Sequence, residues 1–236
     1  MKIEKKYYCI FLLVIVLVSV FVCSSCFGKK SEGTNTASGT NTSGSNSSKN
    51  DLTPASLEKN ITCSGAITKE GNLIAFIMNS NNVAVEVEVE VEFYDTNGAL
   101  VGSDKESLNS LASNNEAVVE FWDTPNNFDN YKIYVDAVVS SAISYSDKVT
   151  LSHNNTGREV LVQVTNNSEE EIERVEVAIV YYLNNEVVGY DDDTEYDVKF
   201  GRSGNFTFDY PTDKRYNNVS FDSYKVFVNQ VYSYNW

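Results

Sequence analysis

Histidine is almost missing from this sequence: of 236 residues only one, His153, is a histidine. A hydrolytic triad or a histidine-based metal site would have to rest on that single ring, and zinc wants several His or Cys ligands. Cysteine is scarce too, with four in all, at positions 9, 23, 26 and 63. The first two fall inside an N-terminal apolar stretch, so the folded part carries one or two thiols and no disulfide framework. Proline occurs three times. No segment beyond the first 25 residues keeps a 3.6-residue apolar period, which excludes a helical bundle and a βαβ pattern. There is no G-x-S-x-G elbow, P-loop or dinucleotide fingerprint. Positive charge is also short, with 18 Lys and Arg against 33 Asp and Glu. Phosphate binding needs clustered cations, so nucleic acid is excluded as a partner, and charge alone would not hold the chain to an anionic membrane.

What is abundant is Val, Thr, Asn and aromatic residues, with 15 Tyr and 12 Phe. β-branched and aromatic side chains suit a pleated, half-buried surface, and Asn supplies turns with positive φ. The composition therefore predicts an all-β fold.

The chain opens as a targeting segment. Lys2, Lys5 and Lys6 precede an apolar run of 16 residues, Tyr7 to Val22. That length matches a signal-peptide core and is short for a membrane span. Val22-Cys23-Ser24-Ser25-Cys26 resembles the lipobox of bacterial lipoproteins, with Cys23 where Leu is commoner. The resemblance implies cleavage after residue 25 and a diacylglyceryl group on Cys26, with no other cofactor. An uncleaved N-terminal anchor is the alternative. Either way the rest of the chain is expected on the membrane, facing outside the cytoplasm. Removing residues 1–25, with three Lys and one Glu, leaves 15 basic against 32 acidic side chains, a net charge of −17. Residues 26–56 are rich in Ser, Thr, Asn and Gly and nearly free of apolar side chains. Such a segment cannot bury enough surface to order itself. It is expected to act as a tether with an end-to-end distance of roughly 30 Å.

Beyond the linker the sequence repeats itself after about 90 residues. Tyr131-Lys132-Ile133-Tyr134-Val135 returns as Tyr224-Lys225-Val226-Phe227-Val228. Val87-Glu88-Val89-Glu90-Val91-Glu92-Phe93-Tyr94 returns as Val175-Glu176-Val177-Ala178-Ile179-Val180-Tyr181-Tyr182. Ile61-Thr62-Cys63-Ser64 aligns with Val149-Thr150-Leu151-Ser152, and Val101-Gly102 with Val188-Gly189. Cys63 therefore stands where Leu151 stands, which predicts a core position and an inert thiol. Residues 83–94 alternate apolar and polar and end at the hairpin signal Asn97-Gly98, answered in the second copy by Asn184-Asn185. The expectation is two tandem immunoglobulin-like β-sandwich domains, 57–144 and 145–236, after the signal peptide (1–25) and linker (26–56).

Val91-Glu92-Phe93-Tyr94-Asp95, followed by Asn97-Gly98, resembles the signature strand and turn of the FxLYD-type domain, an immunoglobulin-like module of bacterial surface proteins. Val91 stands where that pattern has Phe and Phe93 where it has Leu. The second copy, Ile179-Val180-Tyr181-Tyr182-Leu183, departs further. The resemblance implies an extracytoplasmic sandwich and brings no catalytic residues.

Four features are candidates for function. Copy 1 shows Glu88, Glu90 and Glu92 where copy 2 shows Glu176, Ala178 and Val180, followed by Tyr182. An apolar patch in place of an acidic face marks a contact, with a partner or with the first domain, unless a strand of the same domain covers it. Tyr232, Tyr234 and Trp236 alternate at the chain end and could stack sugars, or could simply be core. Asp191-Asp192-Asp193, with Glu195 and Asp197, could hold calcium, though without EF-hand spacing a solvated loop is the simpler expectation. His153 is expected in a surface turn. The sequence therefore points to a non-catalytic, membrane-anchored module that binds an envelope protein or serves as a structural accessory. A carbohydrate- or wall-polymer-binding module is the alternative.

Overall fold

The structure, a computed structural model, describes residues 52–234. Thr53 caps a single helical turn, α1 (Pro54–Glu58), with Pro54 at its start, where a missing N–H costs nothing. Leu57 plugs this turn into the end of the first core. The expected linker thus gives way to ordered chain a few residues early.

The first repeat consists of β1 (Ile61–Ile67), β2 (Leu73–Asn79), β3 (Val85–Tyr94), β4 (Leu100–Leu111), β5 (Glu116–Phe121) and β6 (Asn130–Val139). All pairings are antiparallel, in two sheets ordered β1-β2-β5 and β4-β3-β6. Hairpins join β1 to β2 and β3 to β4, and the other connections cross between the sheets. The second repeat follows the same plan. A two-residue strand, β7 (Ile143–Ser144), and a 3-10 turn lead into β8 (Val149–Asn155), β9 (Glu159–Asn166), β10 (Ile172–Leu183), β11 (Glu186–Val198), β12 (Ser203–Asp209) and β13 (Ser223–Ser233). Its sheets are ordered β8-β9-β12 and β11-β10-β13-β7. The chain is all-β, built from stacked antiparallel sheets in the manner of a β-sandwich.

Strand β3 shows how sequence becomes core. Val85, Val87, Val89, Val91 and Phe93 are fully buried on one face, against Leu73, Ala75 and Ile77 of the other sheet. Each such side chain contributes roughly 1.5–3 kcal/mol by leaving water. The second core is built likewise from Val175, Val177, Ile179 and Tyr181 against Val160, Val162, Val164, Phe206 and Phe208.

Three local devices recur in both repeats. Gly102 lies under Pro125 and Gly189 under Pro211, each so close that an added Cβ would fall 2.6 and 2.2 Å from the proline ring. The hairpin turns use positive φ at Gly98 and at Asn184 and Asn185. A buried asparagine closes the end of each sandwich. Asn79 Nδ2 donates to the carbonyls of Val83, Leu111 and Ala112, and Asn166 Nδ2 to those of Glu170 and Val198.

Two expectations are corrected. Cys63 packs half-buried against the first core, but Leu151 is 37% exposed because β8 is an edge strand lying open to solvent. His153 belongs to β8 rather than to a turn, and its Nδ1 lies 3.0 Å from the Tyr224 hydroxyl.

Candidate functional site

Period 2 sends alternate residues of β10 to opposite faces. Val177, Ile179 and Tyr181 face the second core. Ala178 and Val180 face the other way and are also fully buried. Together with Phe227 they pack on Ile74 and Val118 of the first repeat, rimmed by Ala66, Phe76, Tyr182, Val187 and Tyr190. The Phe76 and Phe227 rings meet edge-on at 6.0 Å. The face formed by Ala178, Val180 and Tyr182 is thus covered by the first repeat of the same chain, which leaves no free apolar surface there for a separate protein.

A β-bulge completes this joint. Glu176 pairs with Gln230 and Val177 with Val228, so Asn229 is the extra residue. The bulge turns two consecutive polar side chains into the joint, where Asn229 is 1% and Gln230 2% exposed. Asn229 grips the open edge of β5 as a neighbouring strand would. Its Oδ1 accepts from the Val118 amide at 2.9 Å and its Nδ2 donates to the Val118 carbonyl at 2.8 Å. Gln230 Oε1 accepts from the amides of Asn109 (2.9 Å) and Ser110 (3.3 Å). The Tyr190 hydroxyl donates to the Val118 carbonyl, and Asn115 Nδ2 to the Val228 carbonyl.

The rim is braced by a segment peculiar to the second repeat. Two residues separate Pro125 from Phe128, whereas nine separate Pro211 from Phe221. Within the longer loop Thr212 Oγ1 donates to Glu70 Oε1 and Lys214 Nζ to Asn126 Oδ1, each at 2.6 Å. Lys225 pairs with Glu116 at 2.5 Å.

The joint is acidic. Glu120 and Glu176 are each only 7% exposed. Glu176 is satisfied by Arg174 (2.7 Å), Gln230 Nε2 (2.7 Å) and Asn229 Nδ2 (3.1 Å). Glu120 has one donor, Asn72 Nδ2, at 3.0 Å. Burial pushes the Glu120 carboxyl up to about 7, against the pull of Asn72 and with help from Glu70, Asp192 and Asp191. Burial raises Glu106 to about 7 as well, aided by Asp104, Asp192 and Glu176.

Asp191, Asp192 and Asp193 lie on strand β11, not in a loop. Asp192 pairs with Ala178 on the joint side, while Asp191 and Asp193 pair with Ile179 and Val177 and point to the other face. Alternation therefore splits the triad. No group of three potential ligands converges on a metal position among the described residues. Burial raises the Asp191 carboxyl to about 6, despite the hydrogen bond from the Asp192 amide.

The aromatic row at the chain end is not an open platform. Tyr232 is 4% exposed, and its hydroxyl accepts from Asn109 Nδ2 of the first repeat at 2.8 Å. Tyr234 is half-buried with its ring edge-on to Tyr232 at 5.4 Å. Trp236 and Cys26 lie outside the described residues. At the far end of the second sandwich a shallow cleft of about 480 Å³ is lined by Tyr210, Phe221, Asn155, Asn218, Ser220 and Asp222. The sequence reading found neither this cleft nor the Asn229-Gln230 pair. The pair did leave a signal: two amides interrupt an apolar strand where the first copy has Asp136-Ala137.

No protein-family model matches the chain, and no curated protein does. Among solved structures it shows similarity to red sea bream transglutaminase, at 9% identity and a TM-score of 0.24. The match covers 64% of this chain and 27% of that one, so the chain spans about a quarter of that enzyme's length. At this TM-score the likeness transfers neither fold nor activity.

Proposed function

We propose that this chain is a lipid-anchored, extracytoplasmic and non-catalytic module of the cell envelope, a stiff two-sandwich body carried on a polar tether. The observation that carries this reading is the joint. The apolar surface of the second repeat is spent on the first, and amide, ionic and apolar contacts together make the repeats one body. The first 56 residues supply the attachment in this reading, through the lipid on Cys26 and the uncharged linker. A body of this kind spaces or presents a surface, and its partner is an envelope protein.

The test is fractionation of the producing cells. The full chain is expected in the membrane fraction, released by detergent but not by high salt. A Cys26→Ser version is expected in the soluble fraction at undiminished total amount. A Cys26→Ser protein that stays with the membrane overturns the lipid anchor and leaves the uncleaved apolar segment. Photo-crosslinking from exposed positions in intact cells then tests the accessory role, with capture of one envelope protein as the expected result.

One observation favours a carbohydrate reading: the cleft beside Tyr210 and Phe221 offers two rings together with amide, hydroxyl and carboxylate groups. Calorimetric titration with solubilised wall polysaccharide tests it. Heat that disappears in an Asn218→Ala/Asp222→Ala variant supports it, and absence of heat with the full chain removes it.

A further inference from the structure

We propose that the joint between the repeats is an acid-set latch, in which protonated carboxyl groups hold the two sandwiches together and their ionisation loosens them. The geometry comes first. Glu120 stands on the outer face of β5 beside Val118, inside the surface that β10 and β13 cover. It meets Glu70 from the turn between β1 and β2, and Asp191 and Asp192 from β11. Glu106, on the edge strand β4, meets Asp104 of its own strand, Glu176 of β10 and Asp192 of β11. Closing the joint therefore brings carboxyl groups of one repeat onto those of the other.

The cations nearby are already engaged. Arg174 is bound to Glu176, and Lys225 lies at the rim on Glu116. Lys105, next to Glu106 in sequence, turns to the opposite face of its sheet and pairs with Glu88 and Glu90. Lys214 is held by Asn126. Polar matching is also incomplete. Ser110 Oγ and Arg174 Nε are buried without a hydrogen-bond partner among the described residues, and both belong to groups bonded to the Gln230–Glu176 pair.

The sign follows from proton counting. In the closed joint Glu106 and Glu120 keep their protons up to about pH 7. Released into water, both would ionise near 4.3. Between those values the closed form holds more protons than the open one, so acid favours closure. The closure constant is full below about pH 4, falls as pH rises toward 7 and is flat above it. Each well-buried carboxyl shifts it by about tenfold or more across that window.

The joint has its own reporters. The amides of Val118, Asn109 and Ser110 donate to side chains of the second repeat, and the Lys69 amide donates to the Val188 carbonyl. Hydrogen exchange of the full chain in neutral detergent with EDTA, normalised for intrinsic rates, is compared at pH 5 and pH 8. Protection at these four amides is expected to fall about tenfold or more at pH 8, while the amides of β3 and β10 keep theirs. In a Glu106→Gln/Glu120→Gln variant the joint amides are expected to lose this pH dependence. If that variant does not fold, Glu106→Gln alone, at a half-exposed position, is expected to reduce it. Equal protection at both pH values overturns the latch. So does loss in step with β3 and β10, or unchanged pH dependence in the folded Gln variant.

Discussion

Replacing Asn79 with alanine is expected to lower stability by about 3–5 kcal/mol, the larger loss of the two buried asparagines. The side chain is fully buried, and its two N–H groups are shared among the carbonyls of Val83, Leu111 and Ala112 at 2.9–3.0 Å. Its Oδ1 accepts from both the backbone and the side-chain nitrogen of Asn81 at 2.9 Å. Truncation leaves these groups facing one another with no partner and no water. A buried polar group left unsatisfied costs about 1–3 kcal/mol, and several are exposed to that cost here. Asn166 makes two donations and accepts two, from the Ser168 amide and hydroxyl. Asn166→Ala is accordingly expected to cost about 2–4 kcal/mol. Aspartate at either position should do no better, since it accepts but cannot donate. Urea unfolding followed by circular dichroism measures the loss. A midpoint shift worth less than about 1 kcal/mol for Asn79→Ala would mean that water replaces the amide.

The strands themselves were legible because one face is wet. In β3 a glutamate separates each buried valine from the next, so alternation alone gives the face, the burial and the hairpin that follows. In β10 both faces are apolar from Val175 to Tyr181, and only alignment with the first copy showed that Ala178 and Val180 replace glutamates. That comparison located a contact surface without showing that the first repeat fills it, because a periodic pattern specifies a buried face and not its occupant. The acidic run at 191–193 was misread for the opposite reason. Three like charges carry no alternation of polarity, and it is the backbone ladder to β10 that makes them strand. Asn229 and Gln230 were hidden by the bulge, which breaks the period-2 count that would assign their faces. Tyr232 read as a sugar platform because a chain-end strand looks open until the neighbouring repeat is placed against it. In each case the missing information was a pairing between residues far apart in sequence.

That distinction can be forced into view with two neighbouring substitutions on β10. Val180→Glu places a carboxylate among Ile74, Val118 and Phe227, close to residues that are already acidic. An unpaired charge there cannot keep its hydration while the joint is closed, so the joint is expected to open at a cost of about 3–5 kcal/mol. The side chain faces away from Val177, Ile179 and Tyr181, so both cores should survive. Ile179→Glu, one residue earlier, sends the same charge into the second core and should unfold that repeat outright. Small-angle scattering and near-ultraviolet circular dichroism separate these outcomes. For Val180→Glu the radius of gyration is expected to grow while the aromatic signal is largely kept. For Ile179→Glu the signal of the second repeat's tyrosines is expected to collapse. If the two variants behave alike, the joint and the second core are one cooperative unit. A body that cannot part its repeats without unfolding is a permanent strut and could not operate a latch. If they differ as expected, the stacking of the repeats is a separate equilibrium, held by its own contacts and open to control by the carboxyl groups that line it.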